Sequence, residues 1–167
     1  MKMLGFVMVI LSCSVFGLNM ARGLSRRGEF LQGLCTALTV LRNELCISLM
    51  PVADVLRQLA ADERNSASEF FKQCFAELDS EGFKTAWSAA ALGGKTWGLE
   101  VDECRILAEL GGVIGRYEAE KQRELIDRVI TYFENRARLA DEEKRRQFKL
   151  RAALGVGSGL MIAILML

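Results

Sequence analysis

The sequence contains no histidine, one proline and no Cys-x-x-Cys pair. Without histidine, Ser–His and Cys–His nucleophile pairs and His-ligated metals are excluded. The five cysteines are Cys13, Cys35, Cys46, Cys74 and Cys104. An odd number without paired spacing suggests neither a disulfide framework nor a zinc site. Cys35, Cys46, Cys74 and Cys104 read as small core hydrophobes in a reducing compartment. A lone proline, Pro51, and aromatics at 8% disfavour an all-β fold, which needs many turns. Neither sign of charge dominates, with Lys+Arg 22 against Asp+Glu 21. A general nucleic-acid binder carries a basic excess, so no nucleic-acid partner is expected. No complete phosphate loop is present. "GGKT" at Gly93–Thr96 has only the last part of one and follows no apolar strand. The carboxylate pairs Asp102/Glu103 and Glu142/Glu143 read as solvated helical surface. Neither a cofactor nor an enzyme is expected.

What the chain does have is two apolar ends. Met3 to Leu18 carries no charge, and neither does Ala152 to Leu167. Each is slightly short of the roughly 20 residues a spanning helix prefers, but within range once flanking residues are added. A cleaved signal peptide is the alternative for the first. Its n-region holds only Lys2, and Met20-Ala21-Arg22 is a poor cleavage site. "ILSC" resembles a lipoprotein box at Cys13, yet apolar residues resume after it. An uncleaved anchor is the better reading. A soluble core helix is the alternative for the second, made awkward by the charged run "DEEKRRQFKLR" leading into it.

Arg22, Arg26 and Arg27 follow the first apolar segment; Lys144, Arg145, Arg146, Lys149 and Arg151 precede the second. Both clusters face the intervening segment, which the positive-inside rule makes cytoplasmic. The expected organisation is an N-terminal transmembrane helix over 1–21, a cytoplasmic helical bundle over 22–150 and a C-terminal transmembrane helix over 151–167. Gly155, Gly159 and Ala163 recur every four residues. Such a ladder lets another helix approach closely in lipid. The first span, a second copy or another membrane protein could dock there.

The middle segment reads as all-α. Leu31, Leu34, Leu38, Leu41 and Leu45 form an apolar seam on a helix reaching about Leu49. Pro51 opens a second helix near its first position, with Val52, Val55, Leu56 and Leu59 inward. A third carries Phe70, Phe71, Cys74, Phe75 and Leu78. A short fourth, "KTAWSAAAL", presents Trp87, and Gly93-Gly94 ends it. A fifth carries Val101, Leu107, Leu110 and Ile114 and stops at Gly115. The last begins near Tyr117 and carries Leu125, Ile126, Val129, Ile130 and Phe133. Its continuation, "ENRARLADEEKRRQ", is charged nearly all round, as in helices that bridge between packed regions. Arg136, Arg138, Glu142 and Arg145 make this stretch the candidate partner surface. The basic Arg22–Arg27 face is a second candidate, and lipid headgroups could hold it instead.

Read in order, these stretches resemble the stage III sporulation protein AB family of endospore-forming bacteria. "MARGLSRRGEFLQGLCTALTVLRNELC" is similar to that family's post-anchor helix, "MPVADVLRQLA" to its proline-led second helix, and "TAWSAAAL" to its tryptophan helix. The most distinctive likeness lies in "ILAELGGVIGRYEAEKQRELI", with Gly111, Gly115, Arg116, an acid at Glu118, and Gln122. Pro51 and Trp87 complete the family-like positions. Glu118 stands where the family more often has Asp. The resemblance implies a bundle like the cytoplasmic domain of the type II secretion F protein, with about five to six helices between two spans. It also implies a non-enzymatic membrane platform in the channel joining mother cell and forespore. The expected partners are a secretion-type cytoplasmic ATPase, other membrane components of the channel and the lipid bilayer. A homo-oligomer is also open. The implied location is the mother-cell side of the outer forespore membrane. A platform of another type II secretion or type IV pilus-like system is the alternative, and a membrane-bound enzyme or regulator a more distant one.

Overall fold

The computed structural model describes the backbone of residues 26–165 and the side chains of residues 26–147. Seven α-helices and one 3-10 helix make up the described residues, with no strand among them. In chain order the helices are α1 over 26–46, α2 Val52–Ala61, α3 Ser68–Ala76, α4 Leu78–Glu81, α5 Phe83–Leu92, α6 Val101–Gly111 and α7 Ala119–Leu165. The 3-10 helix Gly93–Trp97 joins α5 to α6.

The leucine seam of α1 becomes the floor of the core. Leu31, Leu34, Leu38, Leu41 and Leu45 are all buried. Helix α1 ends sooner than its pattern suggests, because its last turn widens. The Ser48 N–H donates to the Asn43 carbonyl and the Met50 N–H to the Glu44 carbonyl. Leu49 closes that turn with φ of 52°, a left-handed conformation in which a leucine is strained. Pro51 then sits one position earlier than expected, as the N-cap of α2. Its carbonyl accepts the N–H groups of Asp54 and Val55.

Helices α2 and α3 fold back on each other, and α5 and α6 form a second such pair. An aromatic cluster joins these pairs. Phe70 meets Phe71, Trp87 and Trp97 edge-on, and Trp97 stacks on Phe30 of α1 at 5.3 Å between ring centres. Edge-to-face pairs of this kind add about 0.5–1.5 kcal/mol each beyond burial. The expected third helix divides into α3 and α4 at Glu77, which accounts for one more helix than the sequence suggested. Gly93-Gly94 tightens the chain into the 3-10 turn, where the sequence suggested only a break. Val101 is 57% exposed at the first position of α6, not inward as its hydrophobicity suggested.

Helix α7 is 47 residues long, about 70 Å at 1.5 Å per residue. Its first half lies antiparallel to α1, with Ile126, Ile130, Phe133 and Ala137 buried. At one end Arg42 of α1 pairs with Asp127, and Gln122 approaches the Cys46 sulfur at 3.9 Å. At the other end Arg27 and Arg136 meet around a shared carboxylate. Among the described residues no helix is long and apolar enough to cross a membrane. The expected first span, 1–21, lies outside the described residues. Across the second, 151–167, the backbone continues α7 as helix to Leu165, and its side chains lie outside the described ones.

Candidate functional site

The most charged buried locus lies at the first turn of α6, where α1 and α7 converge. Glu103 is fully buried, correcting the expectation that Asp102/Glu103 is a solvated pair. A buried carboxylate is costly unless paired and hydrogen-bonded. Here Glu103 Oε2 accepts the Glu100 backbone N–H at 2.8 Å, a capping-box contact. Its Oε1 accepts from Arg27 Nη2 at 2.8 Å and lies 3.5 Å from Arg136 Nε. Glu100 extends the cluster toward solvent, 2.8 Å from Arg27 Nη2 and 3.8 Å from Arg136 Nη2. Two cations thus face two anions across three helices. Arg136 also donates to the Tyr132 hydroxyl at 3.1 Å and lies over that ring. This hydrogen bond, with Glu100 and Glu103 nearby, raises the Arg136 pKa. Arg27 therefore turns inward instead of standing with Arg26 on a free basic face.

A second locus is the turn between α6 and α7. Gly115 has φ of 78°, the left-handed conformation that favours glycine. Its N–H donates to Gln122 Oε1 at 2.9 Å, and Gln122 is buried within the first turn of α7. One side chain therefore fixes both the turn and the start of the long helix. A third locus is internal. Trp87 Nε1 donates to the Leu107 carbonyl at 2.6 Å, and Gly111 lies one turn on, against the indole. A Cβ at Gly111 would stand 2.5 Å from Trp87 Cδ1.

These loci follow the ordered motifs that suggested a family. A model of the family described as "Stage III sporulation protein AB (spore_III_AB)" matches residues 2–167. The chain belongs to the stage III sporulation protein AB family. It is 25% identical over 172 residues to the stage III sporulation protein AB of Bacillus subtilis (strain 168), covering 100% of this chain and 99% of that one. It is also similar to a solved structure of stage III sporulation protein AB (SpoIIIAB), with a TM-score of 0.63 at 25% identity. That match covers 72% of this chain and 98% of the solved one.

Within this member of the family, Trp87, Gly111, Gly115 and Gln122 are explained by packing and turn geometry. Arg116 and Pro51 are exposed, and nothing in the structure explains Arg116 beyond its place in the turn. The candidate partner surface divides. Arg136 belongs to the buried cluster. Arg138 pairs with Glu142 at 3.6 Å and Arg145 with Asp141 at 2.9 Å, both exposed pairs along α7. Such pairs hold a helix by a few tenths of a kcal/mol, about 0.3–0.5 each. Gly155, Gly159 and Ala163 share the helical backbone of α7, with side chains outside the described ones.

The four cysteines among the described residues behave as apolar packing groups, and Cys13 lies outside them. Burial pushes the Cys74 thiol up to about 12 and the Cys35 thiol up to about 11, with Glu77 and Glu134 adding to the rise. Burial also raises Cys46 and Cys104. No group of His, Cys, Asp and Glu able to hold a metal occurs among the described residues. A shallow polar groove lies between α1 and the α2–α3 loop, lined by Glu29, Gln32, Thr36 and Arg64 among others. There the Asn65 amide donates to the Gly33 carbonyl and Ser66 Oγ to that of Glu29, so the groove is a loop-anchoring seam. Sequence reasoning missed the Arg27–Glu103 pairing. Its only trace was the Glu100-x-x-Glu103 spacing, which resembles any charged helix start.

Proposed function

We propose that this stage III sporulation protein AB family member is a membrane platform of a secretion-like channel complex between mother cell and forespore. In this reading its cytoplasmic bundle couples a secretion-type ATPase to the membrane channel components, and it performs no chemistry itself. The observation that carries the reading is the shared exit of the two chain ends. Arg27, near the start of α1, and Arg136, where α7 begins to leave the bundle, meet on one carboxylate. The described chain thus begins α1 and carries α7 away at the same end of the bundle, which supports anchoring of the apolar segments 3–18 and 152–167 in a single bilayer. The helix from Arg138 to Gln147 is largely exposed and carries charge on every side, which suits a strut through the headgroup-adjacent aqueous layer. The long loop-free run of α7 then links bundle and membrane without a hinge.

The test uses the full chain in sporulating cells. Lys72→Cys places a thiol on the exposed face of α3. Membrane-impermeant maleimide added outside intact cells should leave it unlabelled until the cells are opened. Affinity capture of the chain should retain an ATPase of the secretion type. Labelling in intact cells would invert the topology, and capture without such an ATPase would remove the coupling role.

A further inference from the structure

We infer that Arg27, Glu100, Glu103 and Arg136 form a releasable clasp that sets how α1 and α7 leave the bundle, with the first turn of α6 as its catch. The clasp stands on the described residues, and its use in transmitting movement rests on the platform reading above.

The apolar seam between α1 and α7 ends at this level. Phe30 is the first buried residue of α1, and Ala137 the last of α7 before a run of exposed and half-buried positions to Gln147. Beyond the seam, no buried apolar layer among the described residues holds the two helices together. What joins them is a pair of carboxylates, the buried Glu103 and the half-exposed Glu100, at the start of a third helix. Arg27 and Arg136 are 109 positions apart in the chain and meet through Glu103 and Glu100. Remove the Glu103 charge and two guanidinium groups face each other with one half-exposed anion between them. Like charges then oppose the closure that opposite charges had favoured.

The clasp is also unequal. Its α1 arm is short, at 2.8 Å, and its α7 arm is long, at 3.5 Å. Arg136 divides its bonding with Tyr132, whereas Arg27 Nε is buried without a hydrogen-bond partner. Arg27 and Arg136 are 27% and 31% exposed, so water and salt reach the outer half of the cluster but not Glu103. Glu103 is tied to the N-cap of α6 through the Glu100 N–H. A shift of that first turn therefore moves the catch away from both arms at once. This gives a discrete element through which a load on α6 changes the exit direction of both helices.

The test is amide hydrogen exchange on the full chain in lipid nanodiscs, comparing Glu103→Gln with the parent. The clasp predicts exchange about 10-fold faster or more around residues 27–31 and 134–138, with little change around 38–46 and 122–130. Unchanged exchange at both arms, or uniform acceleration through every helix, overturns it. If Glu103→Gln does not fold, Arg136→Gln decides. That variant leaves the Arg27–Glu103 bond intact, so only the α7 arm should loosen. Equal loosening of both arms, or none, refutes the clasp. None of these outcomes depends on ATPase capture, so the platform reading and the clasp fail separately.

Discussion

Replacing Gly111 by alanine tests whether α5 and α6 pack as tightly as the structure requires. The new Cβ would stand 2.5 Å from Trp87 Cδ1, 2.8 Å from Cγ and 3.1 Å from Cβ. Carbon atoms in contact prefer about 3.5–4.0 Å, so something must move by about 1 Å. The indole cannot yield easily. It is fully buried, its Nε1 is bonded to the Leu107 carbonyl, and Phe70, Phe71 and Phe83 surround it. Overpacking of this kind costs about 1–3 kcal/mol. The helix propensity of alanine offsets at most about 1 kcal/mol, and less here because Gly111 is the last residue of α6. A net loss of about 1–2 kcal/mol follows. Gly93 supplies the control. Its φ is −69°, and nothing lies within 4 Å of a Cβ there. Gly93→Ala should leave stability unchanged or raise it by a few tenths of a kcal/mol, roughly. Urea unfolding of the full chain in detergent, followed by circular dichroism at 222 nm, measures both. Equal midpoints for the two variants would refute the close α5–α6 approach.

The strained turn after α1 makes the opposite prediction. Leu49 is 73% exposed with left-handed φ, so Leu49→Asn should stabilise the chain by about 0.5–1 kcal/mol in the same unfolding assay. The Cys74 thiol gives a pH dependence. Its folded pKa lies above the unfolded value of 9.0, so its contribution is complete below pH 9 and is lost as pH rises toward about 12. The unfolding free energy, and with it the urea midpoint, should therefore fall between pH 9 and 11, the free energy by about 1.4 kcal/mol per pH unit for this group. Cys74→Ala, at whatever lower baseline stability, should make that slope shallower by this group's share, the remainder coming from Cys35, Cys46 and Cys104. Thiol alkylation at pH 7.5 should leave Cys74 and Cys104 unmodified in the folded chain while denaturant exposes them, read by mass spectrometry.

Much of the helical order was legible because burial on a helix leaves a periodic trace. The α1 leucines and Ile126, Ile130 and Phe133 of α7 are buried as their spacing demands, while Leu125 and Val129 on the same helix are half-buried. The start of α2 at Pro51 was legible too, but the stops were not: α1 ends at residue 46 instead of at Pro51, and α6 ends at Gly111, with Gly115 turning the chain four residues later through its left-handed backbone. The widened turn at Leu49 uses a residue whose chemistry argues against the conformation it adopts.

By itself, the sequence determined the all-α class, the seams that pack and the charged run of α7, because these follow from residue type and spacing along one helix. Tertiary structure alone decided that Glu103 is buried while its neighbour Asp102 is exposed, and that Arg27 and Arg136 share it. It also decided that Gly111 is small because of Trp87, which lies on another helix. The physical reason is the same in each case. Whether a charge is solvated or paired, and whether a glycine is free or crowded, depends on atoms brought close only when distant segments meet. No pattern along one segment records which partners those will be.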